Sequence, residues 1–120
     1  MKYDALKEKS FDFAVRIVRL SQFLVSTKQE YVMSKQILRA GTNPGAMVRE
    51  SKNAESDKDY VHKLSIGQKE IGETMYWLEL LEATDYLMPK EFESIYNDAE
   101  EVLKLLTSSI KTKKRNMGLL

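Results

Sequence analysis

The sequence predicts an all-α protein, an antiparallel up-down-up-down four-helix bundle. Three observations predict it. Apolar residues recur at steps of three and four along four separate stretches, the spacing that gathers them on one helical face. The stretches are similar in length and are parted by short segments carrying helix-capping and helix-starting signals. The chain of 120 residues, 42% hydrophobic and 31% charged, is long enough to bury a core and shows no linker or internal repeat that would divide it. The expected helices cover about residues 4–26, 30–53, 57–85 and 89–112 of a single domain, residues 1–120, with a basic tail after Thr112.

Helix one carries two apolar stripes instead of one. At 100° per residue, Phe11, Ala14, Val15, Val18 and Val25 share a face, and Phe13, Ile17, Leu20 and Leu24 lie nearly opposite. A helix packed on one side of a bundle needs a single stripe. Burial on both sides therefore points to a neighbouring subunit. The expected interface is Phe13, Ile17, Leu20 and Leu24, together with Trp77 from a later segment, MYWLELL, that is apolar almost all the way round.

The second helix contains the stretch LRAGTNPGAMVRES, Leu38 to Ser51. Thr27-Lys28-Gln29-Glu30 has the form of a capping box and sets the expected start of the helix. Met33, Ile37, Ala40, Pro44, Met47, Val48, Ser51 and Ala54 then keep one helical phase across Pro44. A chain reversal has no reason to preserve that count, so the pattern favours one helix over a break. A kink is expected near residues 40–45, because Pro44 cannot donate to the carbonyl of Ala40 and crowds it. Gly41 and Gly45 allow another backbone to come close. A phosphate-binding loop is excluded: no Lys-Ser/Thr follows the glycines and no strand precedes them.

Ser56-Asp57-Lys58-Asp59 opens helix three, whose core positions are Val61, Leu64, Gln68, Ile71, Met75 and Leu78. Pro89 suits the first position of helix four, where Phe92, Ile95, Ala99, Val102, Leu106 and Ile110 form a regular stripe.

The chemistry is sparse. His62 is the only histidine, and Asp59-x-x-His62 resembles one element of a di-iron bundle, but such a site needs two of these elements and two more glutamates. Without cysteine, and without a Gly-x-Ser-x-Gly elbow, the chain shows no catalytic or metal-ligating set and calls for no cofactor; a non-enzymatic protein is expected. No run approaches the ~20 apolar residues of a membrane span, and the N-terminal MKYDALKEKS carries charge where a signal peptide needs an apolar core, so a cytoplasmic location away from membranes is expected.

Net charge is only +1, yet it is unevenly spread. Residues 1–48 carry +4, residues 49–110 carry −7, and the last ten carry +4 from Lys111, Lys113, Lys114 and Arg115. Candidate phosphate contacts are Arg16 and Arg19 on helix one, Lys35 and Arg39 on helix two, and the four tail cations. The competing reading is that these cations pair with the chain's own acids.

Three motifs carry a family resemblance: Gln36, Arg39 and Ala40; then Gly45, Ala46, Val48 and Glu50; then Ser56, Asp59 and Tyr60. The stretch from Glu30 to Leu81 resembles the four-helix-bundle proteins encoded within intervening sequences of bacterial 23S ribosomal RNA genes. It departs from them at Asn43-Pro44, where Ser-Ile is usual, and at Met47, which replaces a common Asn. The resemblance implies a homo-oligomer, a pentameric ring, with RNA or DNA as possible ligand. Related proteins serve reverse transcriptases of diversity-generating retroelements, so the alternative it implies is a scaffold for a polymerase-type protein partner, without nucleic-acid affinity of its own.

Overall fold

A computed structural model of the protein describes residues 3–120. It contains α1 (Ala5–Ser26), α2 (Met33–Ser51), α3 (Asp57–Ala83) and α4 (Pro89–Asn116), and no strand among the described residues. Each helix packs on its neighbours in the order α1, α2, α3, α4 and back to α1. Side-chain pairs run in opposing order along each seam. Lys9 pairs with Glu101 and Arg16 with Asp98 between α1 and α4; Glu50 pairs with Lys63 and Arg39 with Glu70 between α2 and α3. The long dimension of the molecule is 48 Å, close to the length of α4 at ~1.5 Å per residue.

The helix ends follow from local chemistry. Asp4 caps α1, its carboxylate accepting from the Lys7 amide at 3.1 Å and from Lys52 Nζ at 2.6 Å. Ser56 caps α3 as its sequence predicts, accepting from the Asp59 amide at 3.0 Å. Pro89 takes the first position of α4, and Glu91 accepts from the Met88 amide at 3.2 Å.

Two ends differ from expectation. Thr27-Lys28-Gln29-Glu30 closes α1 and does not open α2. Thr27 donates back to the Phe23 carbonyl, Gln29 turns the chain with φ +50°, and the Glu30 amide reaches the Leu24 carbonyl at 2.9 Å. The Glu30 carboxylate then satisfies the amides of Val32 at 3.3 Å and Ser34 at 2.8 Å, so Glu30 caps a helix that begins three residues later, at Met33. At the other terminus α4 continues to Asn116, taking Lys111, Lys113, Lys114 and Arg115 with it; these are helical residues, not a tail. Nothing breaks the helix until Gly118, whose φ of +76° lets the Leu119 amide close on the Lys114 carbonyl at 2.9 Å. Cations in the last turn also suit the negative end of the helix dipole.

Helix α2 runs unbroken through Pro44, which is buried. Gly41 is required there: a Cβ would come within 2.7 Å of the Ile17 side chain, so only glycine lets α1 and α2 approach this closely.

The core corrects the reading of α1. Phe13, Ile17, Leu20 and Leu24 are buried inside the single chain, together with Ile37, Leu64, Ile71, Leu78, Leu81 and Leu106. Phe13, Ile17 and Leu24 are therefore core residues and not a subunit interface, while Leu20, 9% exposed, keeps one edge at the surface. The stripe left exposed is the opposite one, with Phe11 at 52%, Val15 at 42% and Val25 at 40%.

Candidate nucleic-acid interface and an open groove

The eight candidate cations do not converge on one surface. Arg16, on the α4 side of α1, donates to Asp98 Oδ2 at 2.7 Å and to Ser94 Oγ at 3.2 Å. Arg39, on the α3 side of α2, reaches Glu70 Oε2 at 2.9 Å and also Glu73, which in turn accepts from Trp77 Nε1 at 3.1 Å. Lys113 lies 3.3 Å from Asp57 and 4.8 Å above the Tyr60 ring. For these three the pairing with the chain's own acids prevails. Trp77 is half-buried beside Glu73.

Arg19, Lys35, Lys111, Lys114 and Arg115 form no ion pair among the described residues. On α4, Lys111 and Arg115 are four residues apart on the solvent face, and Lys104 precedes Lys111 by two turns on the same line. With Thr107, Ser108 and Thr112 they line a shallow surface of about 480 Å³. Sequence reasoning passed over Lys104 because it lay within the acidic segment; its phase relative to Lys111 was the available signal. This basic ridge sits beside the start of α3, whereas Arg19 sits at the start of α4. The two regions are roughly 30 Å apart along α4 at ~1.5 Å per residue.

A groove of about 640 Å³ lies between α1 and α4. Val15, Leu20, Phe23, Leu87 and Ile95 make its apolar surface, and Arg16, Arg19, Lys90 and Glu91 stand at its margin. Nothing in the groove resembles a reacting centre. Among the described residues two groups have clearly displaced pKa values, and neither lies in it. Asp4 is lowered, chiefly by the hydrogen bond from Lys52 and then that from the Lys7 amide. Tyr96 is raised, by burial first and then by its hydrogen bond to Glu79. His62 is exposed, and no group of three or more His, Cys, Asp or Glu side chains among the described residues is arranged to hold a metal ion. Among the described residues no helix is long and apolar enough to cross a membrane.

The model of the 23S rRNA-intervening sequence protein family matches residues 4–108. The chain belongs to that family. A crystal structure of a protein with unknown function from the S23 ribosomal protein family of Bacteroides thetaiotaomicron superposes with a TM-score of 0.88 at 54% identity, covering 89% of this chain and 96% of that one. No curated protein matches the chain. The family match covers α1, α2 and α3 whole and α4 as far as Ser108, taking in the groove and the Arg39–Glu70–Glu73 contacts, while Lys111, Lys113, Lys114 and Arg115 lie beyond it.

Proposed function

We propose that this family member is a non-enzymatic protein that assembles into a homo-oligomeric ring, pentameric as the family resemblance implies, and binds RNA or DNA in the cytoplasm. The observation that carries the binding is the basic ridge at the end of α4. Lys104, Lys111 and Arg115 share its solvent face, Lys114 stands beside them, and none is neutralised by an acid among the described residues. A ring repeats such a ridge once per subunit, multiplying phosphate contacts that are each weak. Because the ridge offers cations and hydroxyls but no element shaped to enter a groove and read base edges, the binding it supports is of low sequence specificity. Arg19 and Lys35 would add contacts at the other end of the bundle. Arg16, Arg39 and Lys113 contribute less, being engaged within the chain.

Fluorescence-anisotropy titration with a structured RNA and with a duplex DNA, across a range of salt, tests this. The expected result is affinity that falls steeply with salt, with a slope that shrinks by about 0.9 for each duplex phosphate contact removed when Lys111, Lys114 and Arg115 are changed to Gln. Absence of binding at low salt would overturn the reading in favour of a protein-interaction scaffold, with a polymerase-type partner as the first candidate.

A further inference from the structure

We propose that the α1–α4 groove receives the outer face of α3 from a second copy of this chain, so that subunits join head to tail. The proposal rests on the self-association proposed above and names the two surfaces that make it.

The groove is an apolar surface left open, with Phe23 and Val15 beside buried Leu20, Leu87 and Ile95. Its margin carries three cations, Arg16, Arg19 and Lys90, against Glu91. Arg19 and Lys90 have no acid partner among the described residues. The second half of α3 and the turn after it offer the complement. Residues 70–85 hold no Lys or Arg; Glu70 and Glu73 are engaged by Arg39, and Glu79, Glu82 and Asp85 form no ion pair among the described residues. From this acidic segment Tyr76 projects 56% exposed, its ring set edge-on to Trp77 at 5.4 Å. Trp77 is itself fixed by Glu73, and Glu79 is held by Tyr96. A positioned tyrosine entering an apolar pocket, with opposite charges at the rim, is the arrangement in which interface energy concentrates.

The placement of the two surfaces favours a closed ring. They are different surfaces, so the contact is heterologous and repeats from copy to copy. They also lie at one end of the bundle, because α3 ends at Ala83 and α4, which forms one wall of the groove, begins at Pro89. A contact between surfaces at one level adds little rise along the bundle axis. Successive copies then turn back on themselves instead of extending as a filament.

The absence of cysteine allows a direct test. Full-length chains carrying Val15→Cys, Tyr76→Cys, or both are oxidised under native conditions and separated under denaturing, non-reducing conditions; both positions are exposed, and circular dichroism confirms folding. The expected result is a ladder of covalent multimers from the double variant and monomer from each single variant. A covalent dimer from Val15→Cys alone would show a symmetric contact and overturn the proposal. Light scattering on the unmodified chain separates the two levels of failure. An assembled wild type with no ladder from the double variant refutes this pairing of surfaces, whereas a monomeric wild type refutes self-association itself.

Discussion

Helix α1 meets its two neighbours in contrasting ways. Against α2 it is drawn in until Gly41 sits on Ile17, Gly45 approaches the Ser10 carbonyl at a distance that leaves a Cβ 3.3 Å from it, and buried Ser21 donates to the Ser34 carbonyl at 3.1 Å. Against α4 it is joined at one end by Arg16–Asp98 and Lys9–Glu101, and then diverges into a groove of about 640 Å³. The same helix is therefore sealed on one side and open on the other. What differs is the partner's side chains: glycine and serine on α2 permit close approach, whereas Leu87, Lys90, Glu91 and Ser94 at the start of α4 leave a gap lined with apolar carbon and charge. The sealed side carries stability, and the open side is free to carry an interaction.

The largest expected contrast is between residues on the two faces of α1. Phe13→Ala empties a site that is 1% exposed and should cost about 3–5 kcal/mol. Val15→Ala, at the margin of the groove, should stay within about 0.5 kcal/mol. Urea denaturation of the two variants at a fixed low protein concentration measures both. Comparable losses would show that the groove is closed in solution and that Val15 belongs to a core.

That contrast also marks where sequence reasoning succeeded and where it failed. The four helices were legible because their apolar periodicity is strong and Ser56 and Pro89 act through their immediate neighbours. The continuity of α2 was legible because the phase of Met33, Ile37, Ala40 and Val48 survives Pro44. The assignment of α1's faces was not. Periodicity separates two stripes but does not say which one turns inward, and both here are apolar. Side-chain size held the answer: apart from Phe11, the exposed stripe of Ala14, Val15, Val18 and Val25 is smaller than Phe13, Ile17, Leu20 and Leu24, and a bundle core takes the larger set. Thr27–Glu30 misled because a capping-box spelling is the same whether the chain begins a helix or leaves one; the positive φ at Gln29 decides, and it depends on the path of the chain. The basic sites were legible as charges, but their intramolecular partners lie 31 to 82 residues away in sequence. Such pairings cannot be read before the helices are packed.

A second contrast uses two glycines. Gly41→Ala places a methyl 2.7 Å from two Ile17 carbons attached at the branched Cβ, which have little freedom to yield. Overpacking of about 1–3 kcal/mol should outweigh the gain of ~1 kcal/mol in helix propensity. Gly72→Ala meets nothing within 4 Å on the solvent face of α3 and should stabilise by roughly 0.5–1 kcal/mol. Thermal melts give the signs, and combining Gly41→Ala with Ile17→Ala should recover part of the loss. Independent, additive effects would place the strain elsewhere.

Smaller effects come from single polar contacts across the two seams. Ser21→Ala removes a buried hydrogen bond between α1 and the start of α2 and should cost about 1 kcal/mol. Arg16→Ala removes a pair whose side chains are 40% and 44% exposed, and should cost well under 1 kcal/mol despite its short distance of 2.7 Å. Equal costs would mean that the α1–α4 seam is shielded from solvent along its length.

The smallest effect is visible only against pH. Asp4 ties the start of α1 to the end of α2, and its carboxyl is held below the ordinary value of 3.8, first by Lys52 and then by the Lys7 amide. A depressed folded pKa means that the charged form is favoured by folding. Its contribution is present above pH ~4 and disappears as pH falls through the lower folded value. Asp4→Asn keeps a side-chain oxygen for the cap and removes the charge. Wild type should therefore exceed the variant by a fraction of a kcal/mol at pH 7, the pair being partly exposed, and the two should converge as pH falls through the lowered folded value. A gap that persists unchanged in acid would assign the effect to cap geometry and leave the Lys52 contact without a measurable part in holding α1 to α2.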